Sequence, residues 1–175
     1  DWSSDVCSSD LVTVNVNNLL NNVSYYSIAY SSSLNLFVAI SSSGNVNNRI
    51  MTSPDGITWT SRTSAVDNTW NSVCWASDLN LFVAIASTGT NRVMTSADGI
   101  TWTSYNIIFN FEWNFIIWIP EYKILLANCF NNTNSPKIIY SYNAINWYSL
   151  NIPQKYNINS IAFSPLLKQF CCLTQ

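Results

Sequence analysis

The sequence predicts an all-β protein, a β-propeller of four-stranded antiparallel blades, and three observations carry that prediction. Residues 26–60, 71–103 and 113–147 are copies of one another, the first two nearly letter for letter. The tryptophans Trp59, Trp102 and Trp147 recur at intervals of 43 and then 45 residues, a period that suits a four-stranded blade. Within each copy, short runs of β-branched and aromatic residues alternate with clusters of Ser, Asn, Asp and Gly.

The second copy shows the elements most cleanly. Residues 70–76 read as a first strand and Ser77-Asp78-Leu79-Asn80 as a hairpin turn. Residues 81–86 form a run apolar at every position, which requires cover on both faces of the sheet. A blade stacked between two neighbours has that cover. Residues 87–91 are a loop, 92–96 a third strand, Ala97-Asp98-Gly99-Ile100 a tight turn, and 102–105 a fourth strand. Residues 34–40 repeat 79–85, while the third copy keeps only the apolar character at 122–127. Tyr30, Trp75, Trp118 and Phe163 fall at one register position near the end of the first strand, where an aromatic ring is expected to fill the wedge between blades. The expected blades are 23–62, 68–105, 112–150 and a partial one at 156–175, with a leftover outer strand near 12–17. The pattern contains no helix and no second domain.

Residues 1–11, D-W-S-S-D-V-C-S-S-D-L, resemble the conceptual translation of a sequencing-library adapter and are read as a cloning or assembly scar. Residues 12–175 are then an incomplete propeller belonging to a longer protein. A competing feature is that Ser8, Asp10 and Thr13 stand at the spacing of the turn motif described below. Without Asp1, Asp5 and Asp10 the formal charge moves from −2 to +1, with seven basic and six acidic side chains. That balance, with no basic run, argues against nucleic acid and anionic membrane as partners. No apolar run is long enough to span a bilayer as a helix.

The chain has no His, which removes the commonest general base. Cys74, Cys129, Cys171 and Cys172 show no C-x-x-C pairing, so no metal site and no cofactor is expected. Cys74 aligns with Ala29, Ile117 and Ala162 and reads as a small buried strand residue.

The turn between the third and fourth strands carries the most specific motif. It reads Ser53-Pro54-Asp55-Gly56-Ile57-Thr58-Trp59 and again Ser96-Ala97-Asp98-Gly99-Ile100-Thr101-Trp102. The third copy, Ser141-Tyr142-Asn143-Ala144-Ile145-Asn146-Trp147, substitutes Asn for Asp and loses Gly and Thr. A carboxylate here can accept turn amides, Gly can take a positive φ, and the Trp can bury its ring. The motif resembles the Asp-box of BNR-like, sialidase-type propellers, shortened by one residue between Asp and Gly. The resemblance implies a structural role for Asp55 and Asp98, on the rim away from any substrate site. It does not extend to catalysis, because Arg49, Arg62 and Arg92 match no carboxylate-gripping arginine cluster of that family.

Arg49, Arg92 and Lys137 share one repeat position at the start of the third strand, so they are expected on a common rim. They could form an arc of cations for an acidic glycan, or only keep a strand end soluble. The loops at 41–48, 87–91 and 130–135, with connectors 61–69 and 105–112, are rich in Ser, Thr, Asn and Gly and suit sugar hydroxyls as well as water. Asn22-Val23-Ser24 and Asn131-Asn132-Thr133 fit the N-glycosylation pattern. The leading expectation is a non-enzymatic binding or scaffold propeller for a glycan or protein, of a secreted, cell-surface or virion-associated protein. The alternative is part of a sialidase-like or other glycoside hydrolase, with Asp67 and Glu112 as the carboxylates best placed by position and other catalytic groups in blades beyond this chain.

Overall fold

The computed structural model describes residues 23–109, 111–129, 138–150 and 158–174. Residues 1–11, the strand expected near 12–17, Lys137, the 130–135 loop with its Asn131 sequon, and Asn22 of the other sequon lie outside the described residues.

The protein is an all-β propeller. Its first blade is β1 (Tyr25–Ser31), β2 (Leu36–Ser41), β3 (Ile50–Ser53) and β4 (Thr60–Arg62), hydrogen-bonded in that order. The second is β5 (Trp70–Ala76), β6 (Leu81–Ala86), β7 (Val93–Ser96) and β8 (Thr103–Tyr105). The third is β9 (Trp113–Ile119), β10 (Ile124–Cys129), β11 (Ile138–Ser141) and β12 (Tyr148–Leu150). β13 (Ile158–Ser164) and β14 (Gln169–Thr174) form a two-stranded fourth sheet. All pairings are antiparallel.

Local chemistry sets each hairpin. The turn joining strands one and two puts Asn35, Asn80, Lys123 and Lys168 in the left-handed region, with φ of 48°, 51°, 51° and 52°. Asn tolerates that region because its short side chain bonds locally, and lysine does so at a cost. Register shifts fall between Tyr25 and Ser27, Trp70 and Ser72, Trp113 and Phe115, and Ile158 and Ser160, so one bulge recurs early in the first strand of all four sheets.

The core lies between blades. Val38, Ile40 and Ile50 of the first blade pack on Trp70, Phe82, Ala84, Met94 and Trp102 of the second. Val83, Ile85 and Val93 on the opposite face of the second blade pack on Trp113, Ile116, Leu125, Ile139 and Trp147 of the third. A smaller cluster, Leu126, Ile138, Ile158 and Ile161, joins the third blade to the fourth. Every central strand therefore buries both faces, as the uninterrupted apolar runs require.

Serines stitch the inner strands. The Val73 N–H donates to Ser27 Oγ at 3.0 Å and the Ile116 N–H to Ser72 Oγ at 3.2 Å. An inner strand has a ladder partner on one side only, so its free amides need such acceptors. In the third blade Phe115 replaces the serine, and Asn128 instead donates its side-chain amide to Ile158 O at 2.7 Å. Cys74 is half-buried against the second interblade cluster, and burial pushes its thiol pKa up. No described helix is long and apolar enough to cross a membrane.

Candidate functional site

The two ends of the third strand present different chemistry. At one end stands the Ser-x-Asp-Gly turn, at the other the arginine and the loops expected to meet a ligand.

In the turn, Asp55 Oδ1 accepts the N–H groups of Ile57 at 2.8 Å and Thr58 at 2.7 Å, and the Ser53 hydroxyl at 2.9 Å. Asp98 Oδ1 repeats the pattern with Ile100 at 2.8 Å, Thr101 at 2.7 Å and Ser96 at 2.9 Å. Asn143 Oδ1 accepts from Ile145 at 3.0 Å and Asn146 at 2.8 Å, so an uncharged amide does the same work. Trp59, Trp102 and Trp147 each donate Nε1–H at 3.1 Å to the carbonyl of Gly56, Gly99 and Ala144. Those three residues take φ of 73°, 73° and 62°. The Thr58 and Ile57 amides and the Ser53 hydroxyl pull the Asp55 carboxyl down to about 2. For Asp98, burial pushes upward, but the Thr101 and Ile100 amides and the Ser96 hydroxyl outweigh it and hold the group below its ordinary value. Both carboxylates are fixed, ionised turn acceptors rather than proton donors.

At the opposite end, Arg49 is 9% exposed. Its Nε donates to Asp67 Oδ1 at 2.6 Å and its Nη1 to Ser42 O at 2.8 Å. Arg92 donates Nε–H to Gly89 O at 2.8 Å and Nη1–H to Phe111 O. Burial lowers the Arg92 pKa, partly offset by Glu112. Each arginine thus grips the loop of its own blade with one nitrogen and the connector to the next blade with another. The expected cation arc and the expected connector carboxylates come together as pairs, Arg49 with Asp67 and Arg92 beside Glu112, and Arg49 does not stand free in solvent.

The polar loop residues are also mutually engaged. Asn68 Nδ2 donates to Asn91 O at 2.7 Å, Thr88 Oγ1 to Thr69 Oγ1 at 2.9 Å, and Asn91 Nδ2 to Ser104 Oγ at 3.0 Å. Gly89, at φ 85°, lies so close to Asn68 that a Cβ there would stand 1.8 Å from Asn68 Oδ1. The outward surface that remains is polar, with Asn45, Asn47, Asp67 and Glu112 exposed.

The sequence reading missed the anchors of this rim. Trp70 and Trp113 are fully buried, and their Nε1–H groups donate to Val66 O at 3.3 Å and Phe109 O at 3.1 Å. Each ring pins the connector four residues upstream. Their 43-residue spacing was an available signal, since it equals that of Trp59 and Trp102. Conversely Tyr30, expected in a wedge, is 42% exposed with its ring against Phe37.

Among the described residues no group of His, Cys, Asp or Glu converges to hold a metal.

No protein-family model and no curated protein matches the chain. Solved β-propeller structures do. A chain of a nidogen/laminin complex superposes with a TM-score of 0.65 at 15% identity, covering 87% of this chain and 57% of that one. YCF48 from Cyanidioschyzon merolae gives 0.58 at 16%, covering 82% and 48%. β-Fructofuranosidase from Schwanniomyces occidentalis, complexed with fructosyl-erythritol, gives 0.51 at 17%, covering 81% and 37%. The chain spans about half the length of the first two. At such identities the likeness establishes the fold.

Proposed function

We propose that the chain is a binding or scaffold propeller of Asp-box type that recognises a glycan or protein on the rim built by its strand-two-to-three loops and blade connectors. The observation that supports this most is the use made of the rim charges. Arg49 and Arg92 hold connectors in place, so they organise a polar surface instead of forming a substrate-gripping cluster. The Ser-x-Asp/Asn turns at the other rim use their carboxylate or amide oxygen on their own backbone, which supports a structural role for them. Among the neighbours, one comes from a nidogen/laminin complex and another is complexed with a fructosyl compound, so protein and sugar are both ligand classes for this architecture.

A glycoside hydrolase completed by further blades is the second reading, and Asp67 favours it, with a carboxylate side chain 59% exposed on the same rim. Glu112 would be its partner from the next connector. Glycan and protein arrays combined with aryl-glycoside turnover separate the two readings. The binding reading expects capture without hydrolysis.

A further inference from the structure

The bulge that recurs early in each first strand inserts one unpaired residue, and in the three four-stranded blades that residue is Tyr26, Asn71 and Asn114. A bulge frees the inserted side chain from the alternation of the ladder and re-aims it. What precedes it is firmly held. The Tyr25 hydroxyl donates to Asn48 O at 2.7 Å, and the buried indoles of Trp70 and Trp113 donate to Val66 O and Phe109 O at 3.3 and 3.1 Å. The inserted residues therefore stand on anchored backbone where the connectors enter the inner strands, on the loop rim.

The inner strands adjoin one another there. Val73 N–H donates to Ser27 Oγ and Ile116 N–H to Ser72 Oγ, and the Asn71 side chain itself reaches the next blade, donating Nδ2–H to Trp113 O at 2.9 Å. Tyr26, Asn71 and Asn114 thus follow one another along a short arc, one from each of three neighbouring strands. Many polar side chains of this rim are spent on the fold, Asn68 on Asn91 O, Asn91 on Ser104 and Thr88 on Thr69 among them. Those of the arc are not. Tyr26 is 66% exposed and Asn114 is exposed, and neither side chain bonds to a described residue. Asn71 commits only its amide nitrogen.

The chemistry of the arc selects its ligand. A peptide strand has no edge to join, because the Val73 and Ile116 amides on that side are already taken across the junctions. A protein surface needs apolar anchors that become fully buried, and the arc offers one aromatic ring. An anion finds no free guanidinium: Arg49 and Arg92 are committed to Asp67 and to carbonyls, and Glu112 lies exposed two residues before Asn114. A neutral sugar suits all three groups. Each amide offers a donor and an acceptor side by side, as neighbouring sugar hydroxyls require, and a tyrosine ring covers the apolar face of a pyranose.

We propose that Tyr26, Asn71 and Asn114 form a binding site for a neutral saccharide, with the Tyr26 ring as platform and the two amides reading hydroxyls. The site lies on the rim proposed above as the binding surface, so it rests on that reading and names its ligand class.

The test titrates the full chain with neutral tetrasaccharides of glucose, galactose, mannose and xylose, beside one sialylated and one sulfated oligosaccharide, and probes a protein array with the same preparation. Calorimetry is expected to show saturable binding of at least one neutral tetrasaccharide. Tyr26→Ala is expected to weaken it about tenfold or more and Asn114→Ala about threefold, with thermal melts unchanged. Ile57→Ala, at the opposite rim and 62% exposed, is the control and is expected to leave binding unchanged. Neutral-sugar binding that survives both Tyr26→Ala and Asn114→Ala, or preference for the sialylated or sulfated sugar, overturns the site and leaves the rim a binding surface. Capture of a protein with no neutral sugar bound does the same. No capture of any sugar or protein overturns the rim reading as well.

Discussion

Arg49 Nε donates to Asp67 Oδ1 at 2.6 Å, across a separation of 18 residues, and the contact joins a third-strand start to the connector leading into the next blade. The arginine side chain is 11% exposed and the aspartate 59%. Water screens the aspartate, so the pair itself contributes little, while the buried guanidinium also serves the Ser42 carbonyl. A double-mutant cycle in denaturant is expected to give a coupling of about 0.5–1 kcal/mol. Arg49→Ala alone is expected to cost about 1–3 kcal/mol, because it also strips a carbonyl partner and packed methylenes. A cost for Arg49→Ala no larger than that for Asp67→Ala would show that the arginine is not the loop clamp.

The two turn glycines should not respond alike to a methyl group. Both have φ of 73°, so alanine is strained at each by about 1–2 kcal/mol. At Gly56 the added Cβ meets only Phe37 Cε2, at 3.6 Å, whereas at Gly99 it meets Leu36 at 2.7 Å. Gly56→Ala is expected to cost about 1 kcal/mol and Gly99→Ala about 3 kcal/mol, read from urea midpoints. The third blade shows the accommodated form, with Ala144 at φ 62° and fully buried. Equal costs at the two glycines would mean that the turn does not seat on the neighbouring blade.

Turn carboxylates predict an acid limit. The folded Asp55 titrates at about 2 against an ordinary 3.8, and Asp98 is shifted in the same direction. A carboxyl depressed in the folded state stabilises it fully above the ordinary value, and that contribution fades as the pH falls toward the folded one. Asp98→Asn, which copies Asn143, is expected to be modestly less stable than wild type at pH 7 and to converge on it as the pH falls below the ordinary carboxylate value. Thermal melts from pH 7 downward check it. A wild-type to variant difference that stays constant from pH 7 to pH 2 would contradict the assignment of Asp98 as an ionised acceptor.

Strand order and turn positions were legible because each is written in local chemistry. Asn at 35 and 80 suits a left-handed turn residue, and Gly at 56 and 99 suits the positive φ of the box-like turn. The uninterrupted run at 81–86 announced a strand buried on both faces, and Phe82, Val83, Ala84, Ile85 and Ala86 are all fully buried. The loop rim was legible only in part. Arg49 and Arg92 were recognisable as a repeat position, but their partners lie 18 and 19 residues onward in connectors whose return path depends on the burial of Trp70 and Trp113. Polar loop composition likewise reads as a ligand surface or as solvated chain, and only geometry shows how much of it is used internally, as in the Asn68 bond to Asn91 O.

The proposed function requires the rim to be a binding surface and not a catalytic one. Its most direct test is turnover of a panel of aryl glycosides by the full chain, run beside capture of the same protein on glycan and protein arrays. Capture of a ligand is expected, with no hydrolysis above background in the wild type. Hydrolysis abolished by Asp67→Asn or Glu112→Gln would contradict it and identify those carboxylates as the catalytic pair.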